Sequence, residues 1–172
     1  SAMDQDRVIG KVGGGIPWHL PRDVKRFREF TQGKFLLLGR RTYEEMIGWF
    51  TDQTPLVLTR KSDLTVESGW VVRDIEEAIS TAAEQGANEL AICGGAAIYA
   101  EALPYTDALF LTLIDTKIGD GARFPNYECD IEWEEVRSES FTADSENEFA
   151  MTFLQLRRKH PSSLRPARLH LL

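Results

Sequence analysis

The sequence predicts an α/β protein with a mixed, mostly parallel central sheet of about eight strands, flanked by about four helices and closed by an antiparallel C-terminal strand pair. Three observations carry this. Short continuous apolar runs, such as Phe35-Leu36-Leu37-Leu38, have the composition of strands buried on both faces. Helix-start signatures follow several of them: Thr42 with Glu45, and Asp74 with Glu77, each read as a capping box. Residues 133–141 and 149–157 alternate apolar and polar positions, as an antiparallel pair does.

With 172 residues the chain is long enough for one domain with a substantial core. A formal net charge of −7 argues against nonspecific binding to nucleic acid or membranes, but leaves room for an anionic ligand held by clustered arginines. Cys93 and Cys129 have no metal-like spacing, so no metal site is expected and a reduced, cytoplasmic protein fits best. No apolar run reaches membrane length, and no signal peptide is visible.

Ala2, Met3, Val8 and Ile9 read as the end of a buried strand. Residues 10–15 form a Gly-rich loop, either a surface turn or a lid. Pro21 opens a helix over residues 22–32, and Gly33 stops it. On that helix Val24, Phe27 and Thr31 share one face, and Lys25, Arg26 and Arg28 fall mostly on another. Asp23, in the first turn beside the apolar face, is either a solvated N-terminal charge or a semi-buried acid.

The strand at residues 35–38 ends in Gly39-Arg40-Arg41-Thr42, which reads as a capped surface helix or as an anion site at a helix start. A strand over residues 55–59 is followed by Arg60 and Lys61, a basic turn that would face a ligand crevice in an α/β fold. A strand over residues 70–72 leads through Arg73, a surface charge or an adenine neighbour, to a helix over residues 74–85. A strand over residues 89–93 meets Gly94-Gly95-Ala96-Ala97, where two glycines allow close approach of a pyrophosphate to a helix start. Tyr99 follows one turn in, as core packing or as a pocket residue. In the strand over residues 108–115, Phe110, Thr112 and Ile114 share a face, and Thr112 is a core hydroxyl or a partner for an acid. Asp144, Glu146 and Glu148 form an acidic turn with no evident chemistry.

Together these pieces resemble the dihydrofolate reductase family. Its loop, tryptophan and acid correspond to Ile9-Gly10, Ile16-Pro17-Trp18, Leu20-Pro21 and Asp23, followed by Phe27. Four more pieces keep the family order: Gly39-Arg40-Arg41-Thr42, Leu58-Thr59-Arg60, residues 93–99, and Thr112 followed by Phe124-Pro125. The resemblance spans residues 1–159 and implies NADPH-dependent reduction of 7,8-dihydrofolate to tetrahydrofolate. It implies that Asp23 pairs with the pterin, assisted by Thr112 and, through a water, by Trp18. Ala2, Val24, Phe27, Met46 and Cys93 would line the slot for the flat ring, and Tyr99 would stand beside the nicotinamide. Thr59 and Arg60 would meet the 2′-phosphate. Ile9, Gly10, Gly39, Arg40, Arg41, Thr42, Leu58, Arg73, Gly94, Gly95, Ala96, Ala97 and Ile98 would complete the cofactor site.

Two departures matter. The family holds the substrate's glutamate tail with an arginine, and residues 42–59 contain no Lys or Arg. Gln53 stands at that place with a neutral amide; Arg28 is the available substitute, and Trp49 and Phe50 would line the groove. A related reductase acting on a tail-less pterin or another pyrimidine-type substrate, and a non-catalytic NADPH-binding module, are therefore alternatives. The second departure is that the family's first strand is central, yet only its last residues precede the loop. Residues 160–168 read as a linker, and Leu169-His170-Leu171-Leu172, written directly before Ser1, complete an apolar strand. The expectation is a reductase domain over residues 1–159 and a tail over residues 160–172. That tail would fill the empty half-strand in its own molecule, giving a monomer, or in a neighbour as a swap.

Overall fold

The structure, a computed structural model, describes residues 1–61, 63–129, 132–160 and 168–172. The chain runs β1 (Ala2–Met3), β2 (Val8–Gly10), α1 (Pro21–Thr31), β3 (Phe35–Gly39), α2 (Arg40–Glu45), β4 (Thr54–Leu58), β5 (Trp70–Val72) and α3 (Ile75–Glu84). It continues with β6 (Glu89–Ile92), α4 (Ala96–Ala102), β7 (Ala108–Ile114), β8 (Ala122–Arg123), β9 (Trp133–Phe141), β10 (Met151–Arg158) and β11 (Arg168–Leu171).

The main sheet has the order β5-β4-β3-β6-β11-β7-β10-β9, parallel from β5 to β7 and antiparallel through β10 and β9. β1 also pairs with β7, in parallel. Since β10 covers one edge of β7 from Ala108 to Ile114, β1 and β11 share the other edge. β2 and β8 form a separate small pair. This is the mixed α/β sheet with flanking helices that the apolar runs predict.

The central strands carry apolar residues on both faces. Leu37, Leu56, Leu90, Ile92, Leu109, Leu111, Leu169 and Leu171 pack on one side with α3 and α4. Leu36, Leu38, Val57, Ala91, Cys93 and Leu172 pack on the other, against Phe27 and Phe30 of α1 and Tyr43 of α2. Burying each large aliphatic side chain contributes about 1.5–3 kcal/mol, so the alternation on adjoining strands is what fixes their register. Asp4, also buried, ends β1: its carboxylate accepts from the N–H groups of Asp6, Val8 and Ile118 and so sets the direction in which β2 leaves.

β11 is held on both sides. Leu169 lies opposite Leu90 and Leu171 opposite Ile92 on β6, while His170 and Leu171 lie opposite Ala108 and Leu109 on β7. The Leu172 N–H donates to the Ile92 carbonyl (2.9 Å). Ser1 donates from its nitrogen to the Phe110 carbonyl and accepts from the Thr112 N–H, both at 2.8 Å. Asp107 binds both flanks of the preceding linker: its carbonyl accepts from the Arg158 N–H, and its carboxylate from the Leu169 N–H, both at 2.9 Å.

Helix starts differ from the expectation at one place. Asp74 caps α3 through the Glu77 N–H (2.8 Å), but Thr42 lies inside α2, which begins at Arg40 with Gly39 at its N-cap. The reason is that β3 runs straight into the helix, because the Gly39 N–H is already taken by the Gly94 carbonyl (2.6 Å). No Thr42–Glu45 capping box forms, and Glu45 instead lies beside Gly14 of the loop. Residues 161–167 of the expected linker lie outside the described residues.

Candidate active site

Asp23 sits in the first turn of α1, where its N–H donates to the Leu20 carbonyl (3.0 Å). Pro21 suits the first helical position because its missing N–H would be unpaired there anyway. Leu20 offers no side-chain cap, and the cap comes instead from the turn between β9 and β10. Asn147 Oδ1 accepts from the Arg22 N–H (3.0 Å), Glu148 accepts from the His19 N–H (2.6 Å), and Arg22 pairs with Asp144 (2.9 Å). Asp144 in turn accepts from the Asn147 side chain and from two backbone N–H groups, which holds its carboxyl down at about 2. The acidic turn that had no evident chemistry therefore clamps the segment carrying Trp18 and Asp23.

Thr112, buried on β7, donates to Asp23 Oδ1 at 2.5 Å. Arg26 Nη1 donates to Thr112 Oγ1 (3.3 Å) and to the Leu111 carbonyl (3.0 Å). The sequence places Arg26 on a polar helical face; the structure brings it to the site instead, because its long side chain lies over the Phe153 ring, 4.3 Å from the centroid.

A cleft of about 1460 Å³ runs from this acid to the ends of β3 and β6. Around Asp23 its walls are Ala2, Trp18, Val24, Phe27, Met46, Cys93 and Thr112. At the other end they are Gly39, Arg40, Arg41, Thr42, Gly95, Ala96, Ala97 and Ile98. Ile9, Gly10 and Tyr99 lie between, and loop residues up to Ile16 border the opening. The loop turns on Gly13, Gly14 and Gly15, all at positive φ, a conformation glycine adopts without strain.

The glycine turns bring two helix starts together. β3 and β6 are parallel neighbours, so α2 and α4 begin side by side at their C-terminal ends. A Cβ on Gly39 would lie 3.1 Å from Ile98 Cγ1, and Gly94, at φ +100°, would place one 3.1 Å from the Tyr99 ring. Unpaired backbone N–H groups at such paired starts suit the phosphates of a dinucleotide, and the arginines at this end complement the charge. Arg40 is itself paired with Glu44 (2.7 Å).

Tyr99 donates to the Leu172 carbonyl at 2.5 Å, tying the cleft floor to the strand slot that β11 and β1 share. Burial pushes the Cys93 thiol up to about 12 and the Tyr99 phenol above its ordinary value, so both are neutral in the physiological range. Among the described residues, no group of three or more His, Cys, Asp or Glu is placed to hold a metal ion. No helix among them is long and apolar enough to cross a membrane.

Arg28, Leu58, Thr59, Arg60, Arg73 and Gly94 are not cleft-wall residues. Arg28 is stacked on Trp49, 4.6 Å from its ring centroid. Thr59 accepts the Lys61 N–H, and Arg73 donates to the Arg60 carbonyl. Gln53 is buried, with its amide oxygen accepting from the N–H groups of Thr51 and Asp52 within its own turn. Wall residues that the sequence reading left out include Ser1, Arg26, Phe30 and Glu45. Arg26 was findable, because a residue three after Asp23 lies on the same side of a helix. The wall also includes Phe110, which shares the Thr112 face of β7, and Leu172.

An acid at the apolar end of a cleft, with twin helix starts and arginines at the other end, defines an α/β oxidoreductase of the nicotinamide-dinucleotide type. The chain belongs to the dihydrofolate reductase family, whose model, described as "Dihydrofolate reductase", matches residues 1–158. It is 33% identical over 159 residues to the dihydrofolate reductase type 3 of Salmonella typhimurium, covering 92% of this chain and 96% of that protein. It is 31% identical over 161 residues to the dihydrofolate reductase of Bacillus subtilis (strain 168), covering 94% of each. The solved dihydrofolate reductase from Enterococcus faecalis, complexed with NADP(H) and RAB-propyl, superimposes with a TM-score of 0.79 at 32% identity, covering 92% of this chain and 94% of that one.

Proposed function

We propose that this chain reduces 7,8-dihydrofolate to tetrahydrofolate with NADPH, with Asp23 holding the pterin. The observation that carries the reading is the Asp23–Thr112 pair, set at the apolar end of a cleft whose far end is two adjoining helix starts. A pterin presents a ring N–H and an amino group side by side. One carboxylate accepts both in a forked, charge-assisted contact. Thr112 takes one lone pair of Asp23 Oδ1 and leaves the remaining acceptor sites of the carboxylate for the ligand. Trp18 stands beside the acid, and Val24, Phe27, Met46 and Cys93 sandwich the flat ring.

The starts of α2 and α4, both on the cleft wall, suit a pyrophosphate, and glycine at positions 39 and 94 lets these turns pack closely, since a Cβ there would press on Ile98 or Tyr99. When bound, NADPH supplies the hydride. The residues of this chain orient the two rings and exclude bulk water by closing the loop over residues 10–16. Thr59 and Arg60, just beyond β4, serve the 2′-phosphate, and Arg73 serves the adenine.

A tail-less pterin is the second reading. It is favoured by the engagement of Gln53 in its own turn and of Arg28 with Trp49, which leaves the tail anchor weak. NADPH oxidation followed with dihydrofolate and, separately, with a tail-less dihydropterin tests both readings. Turnover of dihydrofolate supports the first, turnover of the tail-less substrate alone supports the second, and turnover of neither contradicts both.

Residues 168–172 belong to the same domain, and β11 docks in its own molecule, so the protein is a monomer. What supports this is that Arg158 and Leu169, the residues flanking the linker, both bond to Asp107. Ten intervening residues could span about 35 Å, far more than such a closure needs. Cys93 and Cys129 are free thiols, which fits a cytoplasmic location.

A further inference from the structure

β11 fills the slot between β6 and β7, and its residues alternate between the two faces of the sheet. Leu169 and Leu171 pack on the side of α3 and α4. Leu172 faces the other side, toward α1 and the cleft, and so does His170, two residues earlier. The His170 ring lies against Phe30 of α1 and Phe110 of β7, with ring centroids 6.0 and 5.6 Å away. Its side chain is 13% exposed, and its Nδ1 is buried with no hydrogen-bond partner among the described residues. The Glu89 carboxylate of β6 is 3.9 Å from that nitrogen, outside hydrogen-bond reach, and is already paired with Lys34 (2.6 Å).

A neutral imidazole suits such a place. An imidazolium there would be a buried charge with no hydrogen-bonded partner, which is costly. We propose that β11 is an acid-sensitive strap: the neutral His170 ring lets it dock between β6 and β7, and protonation of that ring loosens it and, with it, the floor of the cleft. Leu172 makes the link to the cleft. Its carbonyl accepts from the Tyr99 hydroxyl (2.5 Å), and its N–H donates to the Ile92 carbonyl (2.9 Å). Tyr99 and Leu172 are both cleft-wall residues. The strap is independent of which substrate the cleft takes.

Burial is the largest influence on the ring, and it holds the imidazole below its ordinary value. Four charged groups face it: Glu89 from β6, Lys34 from the segment before β3, Asp107 from the segment before β7, and Arg168 from β11 itself. Glu89 and Asp107 favour the imidazolium, and Lys34 and Arg168 oppose it. From α1 the ring meets the apolar face of Phe30, over which the Lys34 ammonium also lies, 4.5 Å from the centroid. As pH falls through the ordinary value of 6.5, the undocked strand takes up the proton before the docked one does. The stability that His170 contributes is therefore whole above 6.5 and is lost as pH falls from there toward the docked-state value.

The test follows the His170 imidazole by NMR and the hydrogen-exchange protection of the Leu172 amide in the unliganded full chain, from about pH 7.5 to about pH 5.5, across the ordinary imidazole value. His170→Leu removes the titratable ring, assigns its resonance against those of His19 and His160, and serves as the comparison. In wild type the imidazole midpoint is expected below 6.5. Leu172 protection is expected to fall by up to about tenfold per pH unit through that window, and His170→Leu is expected to show no such fall. The Cys93 amide, bonded to the Leu37 carbonyl (2.9 Å), should keep its protection in both proteins. A midpoint at or above 6.5 would mean that Glu89 captures the imidazolium, and it overturns the proposal. So does an unchanged Leu172 protection in wild type, or a loss that Cys93 shares, which is global unfolding. A fall that His170→Leu shares also overturns it, since it would belong to another group such as the Ser1 nitrogen, which burial holds down to about 5. Should His170→Leu fail to fold, His170→Gln serves as the comparison, and the wild-type midpoint keeps its power to overturn the proposal.

Discussion

Leu171 and Ala2 follow one another along the same edge of β7: Leu171 lies opposite Leu109 and Ala2 opposite Thr112. Two residues, Phe110 and Leu111, separate those positions on β7, and two, Leu172 and Ser1, fill the interval on the other side. Residues from opposite ends of the sequence thus continue one strand without a gap in register. The backbone groups that a missing central strand would leave unpaired are met by this composite, and each would be costly if buried alone.

The first prediction tests that strand. Leu171 is fully buried between β6 and β7. Leu171→Ala should destabilise the protein by about 2–5 kcal/mol, as for other buried leucines, in urea unfolding followed by fluorescence. A loss below about 0.5 kcal/mol, the scale of ordinary surface changes, would show that the tail is not docked.

The second concerns the distant cap of α1. Asn147→Ala removes the acceptor of the Arg22 N–H and a donor to Asp144. It should cost about 1 kcal/mol of stability, the usual worth of a cap, and lower turnover through a displaced Asp23. The pH dependence has a definite sign. The Asp144 carboxyl is depressed to about 2, so its contribution is present above the ordinary carboxylate value and is lost as pH falls toward about 2. Acid unfolding of Asn147→Ala should therefore begin at higher pH than in wild type.

The third concerns cofactor choice. NADPH should be preferred over NADH by about 1–3 kcal/mol, roughly 5- to 150-fold in kcat/KM, the scale of hydrogen bonds to charged groups. Arg60→Ala should remove most of this. Equal kcat/KM for the two cofactors in wild type would mean that the 2′-phosphate is held elsewhere.

The chain read in order made much of this arrangement legible, and the exceptions have physical causes. Apolar runs on strands buried on both faces, the Gly39 and Gly94-Gly95 turns and the acid in a Pro-led first turn are local signals, and they show in local sequence. Thr42 misled because a capping box is a statement about where a helix begins, and the turn closed by the Gly39–Gly94 hydrogen bond puts the cap at Gly39, three residues earlier. Arg26 misled because a charged residue counted onto a polar face has a stem long enough to turn back over Phe153. Asn147 and Glu148 carried no signal, since their partners, Arg22 and His19, lie more than a hundred residues away.

The fourth concerns the substrate tail. Arg28 is stacked on Trp49, a residue of the expected groove. Arg28→Ala should raise KM for dihydrofolate about two- to fivefold, the worth of an exposed ion pair, and leave a tail-less dihydropterin unaffected. An equal change for both substrates would place Arg28 in packing alone.

The central claim is that Asp23 holds the pterin for reduction by NADPH, and the most direct measurement compares wild type with Asp23→Asn. Single-turnover oxidation of NADPH by dihydrofolate should fall by about 10³-fold or more, since a forked, charge-assisted contact becomes a neutral one with a donor where an acceptor is needed. NADPH affinity, measured separately by fluorescence, should be unchanged. Turnover in Asp23→Asn near that of wild type, with NADPH bound equally well, would contradict the account.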